Sequence, residues 1–163
     1  MSLRIERASV NAEESRCLVA ELWAEVDRLY ENAVPSRSEL SGMEDPRASF
    51  VIARLHGEAV GCGAIRPLTE VISEVKRVYV QPHARRTGVA RAIVNVLEQL
   101  ARETGFTGIW LETGLRQPAA IRLYESLGYT RIAGFGDYKD DPLSVCYGKQ
   151  LSETRSRGRT SRG

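Results

Sequence analysis

Val78-Tyr79-Val80-Gln81-Pro82-His83-Ala84-Arg85-Arg86-Thr87-Gly88-Val89-Ala90-Arg91 joins a valine-rich run to an amphipathic one. Upstream, Val71 to Val80 carries Val75, Val78 and Val80 and reads as a strand. Downstream, Val89, Ile93, Val96, Leu97 and Leu100 recur at helical spacing to about Thr104, where Gly105 ends the helix. A strand, a short loop and a helix with glycine at its start make an anion site, because the first-turn amides and the positive end of the helix dipole point at one place. Gly88 lets the backbone approach a ligand closely, Ala90 keeps the next position small, and Arg85, Arg86 and Arg91 add positive charge. Phosphate is the natural guest, against the plainer reading of an ordinary loop with solvated arginines. The glycine-lysine ending of a P-loop is missing, as are the further glycines of a dinucleotide fingerprint.

Outward from this stretch the chain alternates strand and helix signals. Leu3 and Ile5 alternate with polar residues as a short strand. Asn11, with Glu14 three residues on as a capping-box partner, opens a helix from about Ala12 to Tyr30 carrying Leu18, Leu22, Val26 and Leu29. Asn32 to Ala48, with Pro35, Gly42 and Pro46, reads as an irregular connection with room for one helical turn, of the kind that walls a substrate site. Phe50 to Leu55 and Ala59 to Ile65 flank His56-Gly57-Glu58 as an antiparallel hairpin, although Gly61 and Gly63 weaken its second strand. Ile109 to Thr113 is a strand, Pro118 opens a helix to Leu127 that Gly128 stops, and Tyr129 to Ile132 and Ser144 to Tyr147 are the last strands. With no repeat and no linker, these elements share one mixed α/β domain over residues 1–151.

Composition narrows the function. The 163 residues hold 23 basic and 21 acidic side chains, a net charge of +2. Without the four arginines between Arg155 and Gly163, the remaining 19 basic residues fall short of the 21 acidic ones, so the basic character belongs to the tail. Residues 152–163 are short of apolar side chains and are expected to be disordered. A polyanion binder spreads its cations over a folded face, so no nucleic-acid partner is expected; binding through the tail would be salt-dependent and vanish on its deletion. No apolar run suits a signal peptide or a membrane span, which predicts a cytoplasmic protein. Cys17, Cys62 and Cys146 form no paired pattern and are expected to be small core side chains. His56 and His83 lie far apart, so no metal is expected.

Arg85-Arg86-Thr87-Gly88-Val89-Ala90, preceded by Val80-Gln81-Pro82, resembles the Q/R-x-x-G-x-G/A signature and V-x-P lead-in of the GCN5-related N-acetyltransferase (GNAT) superfamily. Gln117-Pro118-Ala119-Ala120-Ile121-Arg122-Leu123-Tyr124-Glu125-Ser126-Leu127-Gly128-Tyr129 is similar to that family's N-x-x-A-x-x-L-Y-x-x-x-G-F/Y segment at the expected distance downstream. The resemblance spans about Arg4 to Lys149, is strongest from Glu74 to Tyr129 and weakens before Phe50. The ending from Asp137 to Leu151 resembles a bacterial subgroup whose members mostly lack assigned substrates. The resemblance implies a mixed, mostly antiparallel sheet of six or seven strands flanked by about four helices and splayed near Val78. It implies acetyl-CoA as donor, with the loop amides from Arg86 through Thr87, Gly88, Val89 and Ala90 to Arg91, beside Arg85, on the pyrophosphate. Val78, Tyr79 and Val80 would bond the pantetheine arm as a neighbouring strand does. Gln117 stands where the family more often has Asn, and Tyr124 matches a tyrosine close to the coenzyme sulfur. Homodimers are common in the family.

The reaction so implied is acetyl transfer to an amine of a small molecule or peptide. Such an amine has a pKa near 10 and must lose a proton before it attacks a thioester. Glu74, eleven residues before Arg85, stands where several family members keep a catalytic glutamate and could take that proton directly or through water; the competing reading is an outward-facing glutamate. Tyr124 could give a proton to the leaving thiolate, or simply pack on the core. Glu112 and Asp137 are second-rank bases. No Ser/His/Asp or Cys/His arrangement is evident, so direct transfer in a ternary complex is expected over a covalent acyl-enzyme. The alternative is an acyl-CoA-binding sensor or regulatory module without catalysis.

Overall fold

Seven runs rich in Val, Ile and Ala pair into one sheet, and three amphipathic runs cover its faces. The computed structural model describes residues 2–31 and 40–152. In chain order the elements are β1 (Leu3–Ala8), α1 (Glu13–Leu29), β2 (Ser49–Leu55), β3 (Glu58–Pro67), β4 (Ile72–Val80), α2 (Val89–Glu103), β5 (Gly108–Gly114), α3 (Pro118–Ser126), β6 (Thr130–Ile132) and β7 (Ser144–Gln150). The spatial order is β1-β2-β3-β4-β5-β7-β6. Every pairing is antiparallel except that of β4 with β5, so this is the mixed, mostly antiparallel sheet expected from the resemblance.

The apolar face of α2 packs on the centre of the sheet. Ile93 and Leu97 have no exposed area, and burial of each contributes roughly 1.5–3 kcal/mol. A Cβ on Gly63 would lie 2.7 Å from Ile93 Cγ2, and one on Gly61 2.8 Å from the Tyr79 carbonyl. The two glycines that weaken β3 on propensity are therefore the seats on which α2 packs. This core, with Val75, Leu111, Tyr124 and Tyr147, lies on the α2 side, and a smaller one of Leu18, Phe50, Ile52, Cys62 and Tyr79 lies under α1. Glu98 of α2 is buried and accepts from Tyr129 Oη and Lys149 Nζ, both at 2.9 Å, which ties the helix to the far strands.

Two expectations change. α1 has Ala12 as its N-cap residue with no side-chain cap, because Asn11 donates its own N–H to Ser9 Oγ and Glu14 is drawn across to Arg54 of β2. Cys17 is exposed, since it falls on the outer face of α1, while Cys62 and Cys146 are buried. Three α-helices lie among the described residues and flank the sheet. In the connection between Asn32 and Ala48, residues 40–48 form turns only, and residues 32–39 lie outside the described part. The arginine tail from residue 153 also lies outside it. No helix among the described residues is long and apolar enough to cross a membrane.

Candidate active site

β4 and β5 pair in parallel only at Ile72–Gly108, Ser73–Ile109 and Glu74–Trp110. Beyond that point each strand keeps its outer partner, β4 with β3 and β5 with β7, and the two diverge. A register shift between Cys62 and Ala64, opposite an Arg77 with φ +61°, bends β4 where the divergence begins. The wedge opens into a cavity of about 810 Å³. Leu111 and Glu112 are consecutive and project to opposite faces of the sheet, yet both line it, so the cavity reaches both faces.

One end is made by the segment from Val78 to Arg91. A single 3₁₀ turn at Pro82–Ala84 leads to Arg86 with φ +64° and Gly88 with φ +86°, the residue that caps α2. A Cβ on Gly88 would meet no atom within 4 Å, so glycine is required there by the backbone angle and leaves open space above the helix. The first helical bond runs from the Ala92 N–H to the Gly88 carbonyl, and the amides of Val89, Ala90 and Arg91 precede the ladder. Thr87 donates its hydroxyl to the Ala84 carbonyl at 2.6 Å and pins the loop. Of the three arginines, Arg85 is spent on the protein, donating Nε to the Val80 carbonyl at 2.8 Å and pairing with Glu25 at 2.7 Å. Among the described residues Arg91 donates to Ser126 Oγ alone, at 2.8 Å, and Arg86 is exposed.

Val78, Tyr79 and Val80 form the wall between the two ends, on the strand edge that β5 has left. Gln117 is the residue before α3 and also lines the cavity. Its neighbour Gly114 carries no side chain because the Tyr30 hydroxyl of α1 occupies the place of its Cβ. Tyr124, one turn and a half into α3, is 6% exposed and stands edge-on to Tyr129 at 5.7 Å. Its hydroxyl makes no hydrogen bond with a described residue, and burial, with the Glu112 charge behind it, holds its pKa above the usual phenol value.

The other end is a set of charges facing away from α2. Glu74 is 2% exposed, not outward-facing as an alternating strand would allow. Its Oε1 accepts from Arg66 Nε at 3.2 Å and Nη2 at 3.1 Å, while Lys76 Nζ stands 3.9 Å from Oε2. Lys76 donates to Tyr138 Oη at 2.7 Å, and burial lowers its pKa against the pull of Glu74. Glu112, on the same face two residues beyond Trp110, accepts from Ser144 Oγ at 3.0 Å, and burial raises its pKa. Asp137 is exposed and outside the cavity wall, because the turn Gly136–Tyr138 directs Tyr138 inward in its place. Arg66 and Ser144 are the members that sequence reasoning did not place here. The available signal was a charge interrupting an apolar strand, at Glu74 and Lys76 and again at Glu112.

The chain matches the model of the Acetyltransferase (GNAT) family over residues 10–129. It is 38% identical over 138 residues to the IAA acetyltransferase of Azospirillum brasilense, covering 82% of this chain and 90% of that protein. It is 35% identical over 121 residues to the uncharacterized N-acetyltransferase YjgM of Escherichia coli, covering 72% of each. Among solved structures, a Klebsiella pneumoniae protein assigned to the acyl-CoA N-acyltransferases superposes with a TM-score of 0.79 at 34% identity, over 92% of this chain and 98% of that one. The motif around Gly88, the splayed sheet and these likenesses agree: the chain belongs to the GNAT family of acetyltransferases.

Proposed function

We propose that the protein moves an acetyl group from acetyl-CoA to an amine of a small molecule or peptide, directly and with both substrates bound. The observation that carries the reading is the cavity itself, which joins a helix-start anion cradle to a buried phenol and a set of charges on the opposite face of the sheet. The residues fit a CoA thioester. Gly88 leaves room over the amides of α2, Arg86 and Arg91 lie beside them, and the β5-facing edge of β4 from Val78 to Val80 pairs with no strand among the described residues. In this reading the amides from Arg86 to Arg91 take the pyrophosphate, and Val78, Tyr79 and Val80 with Gln117 hold the pantetheine arm. Arg85 serves by fixing Val80 and α1 rather than by touching phosphate. The Klebsiella relative's assignment to acyl-CoA chemistry supports the same donor.

The donor supplies an activated acyl carbon, and the chain's own groups manage charge and protons. Tyr124 gives its hydroxyl proton to the departing thiolate; its high pKa keeps it protonated until that moment. Glu74, clamped by Arg66 and beside Lys76, fixes the charge balance of the acceptor end. Isothermal titration tests the donor: acetyl-CoA should bind the wild type at micromolar concentration, on the order of −8 kcal/mol. An absence of binding at millimolar acetyl-CoA would contradict the reading.

A further inference from the structure

Glu74 and Glu112 both line the cavity and occupy the same face of neighbouring strands, two positions apart in register. Their surroundings differ. Glu74 accepts two N–H groups from Arg66 and has Lys76 beside it, at 2% exposure. Its oxygens are taken up by these two cations, which leaves little acceptor capacity for a substrate. Glu112 forms no ion pair with any described residue. Its one partner is Ser144 Oγ at 3.0 Å, which also stands 3.1 Å from Asp141 Oδ2. A hydroxyl has a single proton, so Glu112 and Asp141 compete for it and Glu112 keeps acceptor capacity free on the cavity side. Glu112 also lies at the place where the cavity crosses the sheet, next to Leu111 and close enough to Tyr124 for its charge to act on the phenol.

We propose that Glu112 is the general base that takes the proton from the acceptor amine, with Ser144 as its positioning residue. The assignment rests on the transfer reading above. Glu112 removes one proton from the ammonium and releases it to solvent; the nitrogen lone pair then forms the N–C bond and the C–S bond breaks. The second surplus proton on nitrogen restores the Tyr124 hydroxyl, whose own proton has gone to sulfur, so one proton leaves per turnover. The groups that face Glu112 are Glu74 and Lys76 of β4, Asp141 and Ser144 before and at the start of β7, Cys146 opposite it on β7, Tyr138 of the preceding turn and Tyr124 of α3. Burial is the largest influence and raises its pKa; Ser144 and Lys76 pull it down, Asp141 and Glu74 push it up. The net upward direction brings it nearer neutrality, where a base for an alkylamine works best.

The test compares kcat for primary alkylamines with kcat for hydroxylamine, which is already neutral at pH 7.5, in wild type, E112Q and Ser144→Ala, with acetyl-CoA affinity measured by titration for each. E112Q should lose about 100-fold in kcat with alkylamines. It should retain hydroxylamine acetylation within a few-fold and bind acetyl-CoA as the wild type does. Ser144→Ala should keep the base but shift the acid limb of the kcat profile to higher pH, because a bond that stabilised the carboxylate is gone. Equal losses with both acceptors, or full alkylamine activity in E112Q, would overturn the assignment while leaving acetyl transfer intact. A wild type that binds acetyl-CoA yet releases no thiol with any acceptor would overturn the transfer reading, and the base with it.

Discussion

At one end of the cavity the groups on offer are backbone amides fixed by the start of α2; at the other they are side chains brought together from β3, β4, β5 and the segment before β7. The amide end depends on backbone conformation, with Arg86 at φ +64° and Gly88 at φ +86°. The charged end depends on mutual compensation, because Glu74, Arg66 and Lys76 each answer for the others in a place water scarcely reaches. Substitutions at the first should therefore move coenzyme affinity and spare turnover. Substitutions at the second should move turnover or stability and spare affinity.

The largest expected effect lies at the charged end. Glu74→Ala leaves Arg66 and Lys76 without their shared counter-charge, which costs about 3 kcal/mol and lowers Tm by roughly 6–12 °C for a chain of this size. An unchanged melting temperature would remove the compensation argument. Next, Tyr124→Phe should lower kcat by about 100-fold with acetyl-CoA affinity unaltered by titration; a matching loss of affinity would return Tyr124 to a packing role. At the amide end, Gly88→Val forces a β-branched residue to positive φ at a cost of about 1–3 kcal/mol, so affinity for acetyl-CoA should fall about tenfold or more while kcat at saturation holds. Smallest is Glu112→Gln in thermal stability. Burial raises the Glu112 pKa above its unfolded value of 4.5, so the ionised form opposes folding, and stability falls as pH rises through and above that value. The variant should melt slightly higher than wild type at pH 7.5 and no higher at pH 4, opposite in sign to Glu74→Ala.

The same division explains what could be read in advance. The strand, loop and helix around Gly88 are local in sequence, so periodicity, one glycine and a Pro lead-in are sufficient to place them; alternation and turn residues give the separate strands, and the family resemblance implies the sheet they form. The charged end is not local: Arg66 and Glu74 are eight residues apart, Glu112 and Ser144 thirty-two, and Lys76 and Tyr138 sixty-two. Only the order of strands, with β7 inserted between β5 and β6, brings Ser144 onto Glu112. Asp137 and Tyr138 differ by one position, and the direction of one short turn decides which enters the cavity. The cap of α1 is not legible for a similar reason, since a tertiary partner, Arg54, draws Glu14 away from the local one.

The most direct test of acetyl transfer is a mass balance. After the full chain is incubated with acetyl-CoA and a panel of amines, free CoA thiol and acetylated amine are quantified together by mass spectrometry. The account predicts equal amounts of the two for at least one amine, both reduced about 100-fold in Tyr124→Phe. Acetyl-CoA that binds and returns intact with every amine would contradict it, and would point to a module that senses acyl-CoA without consuming it.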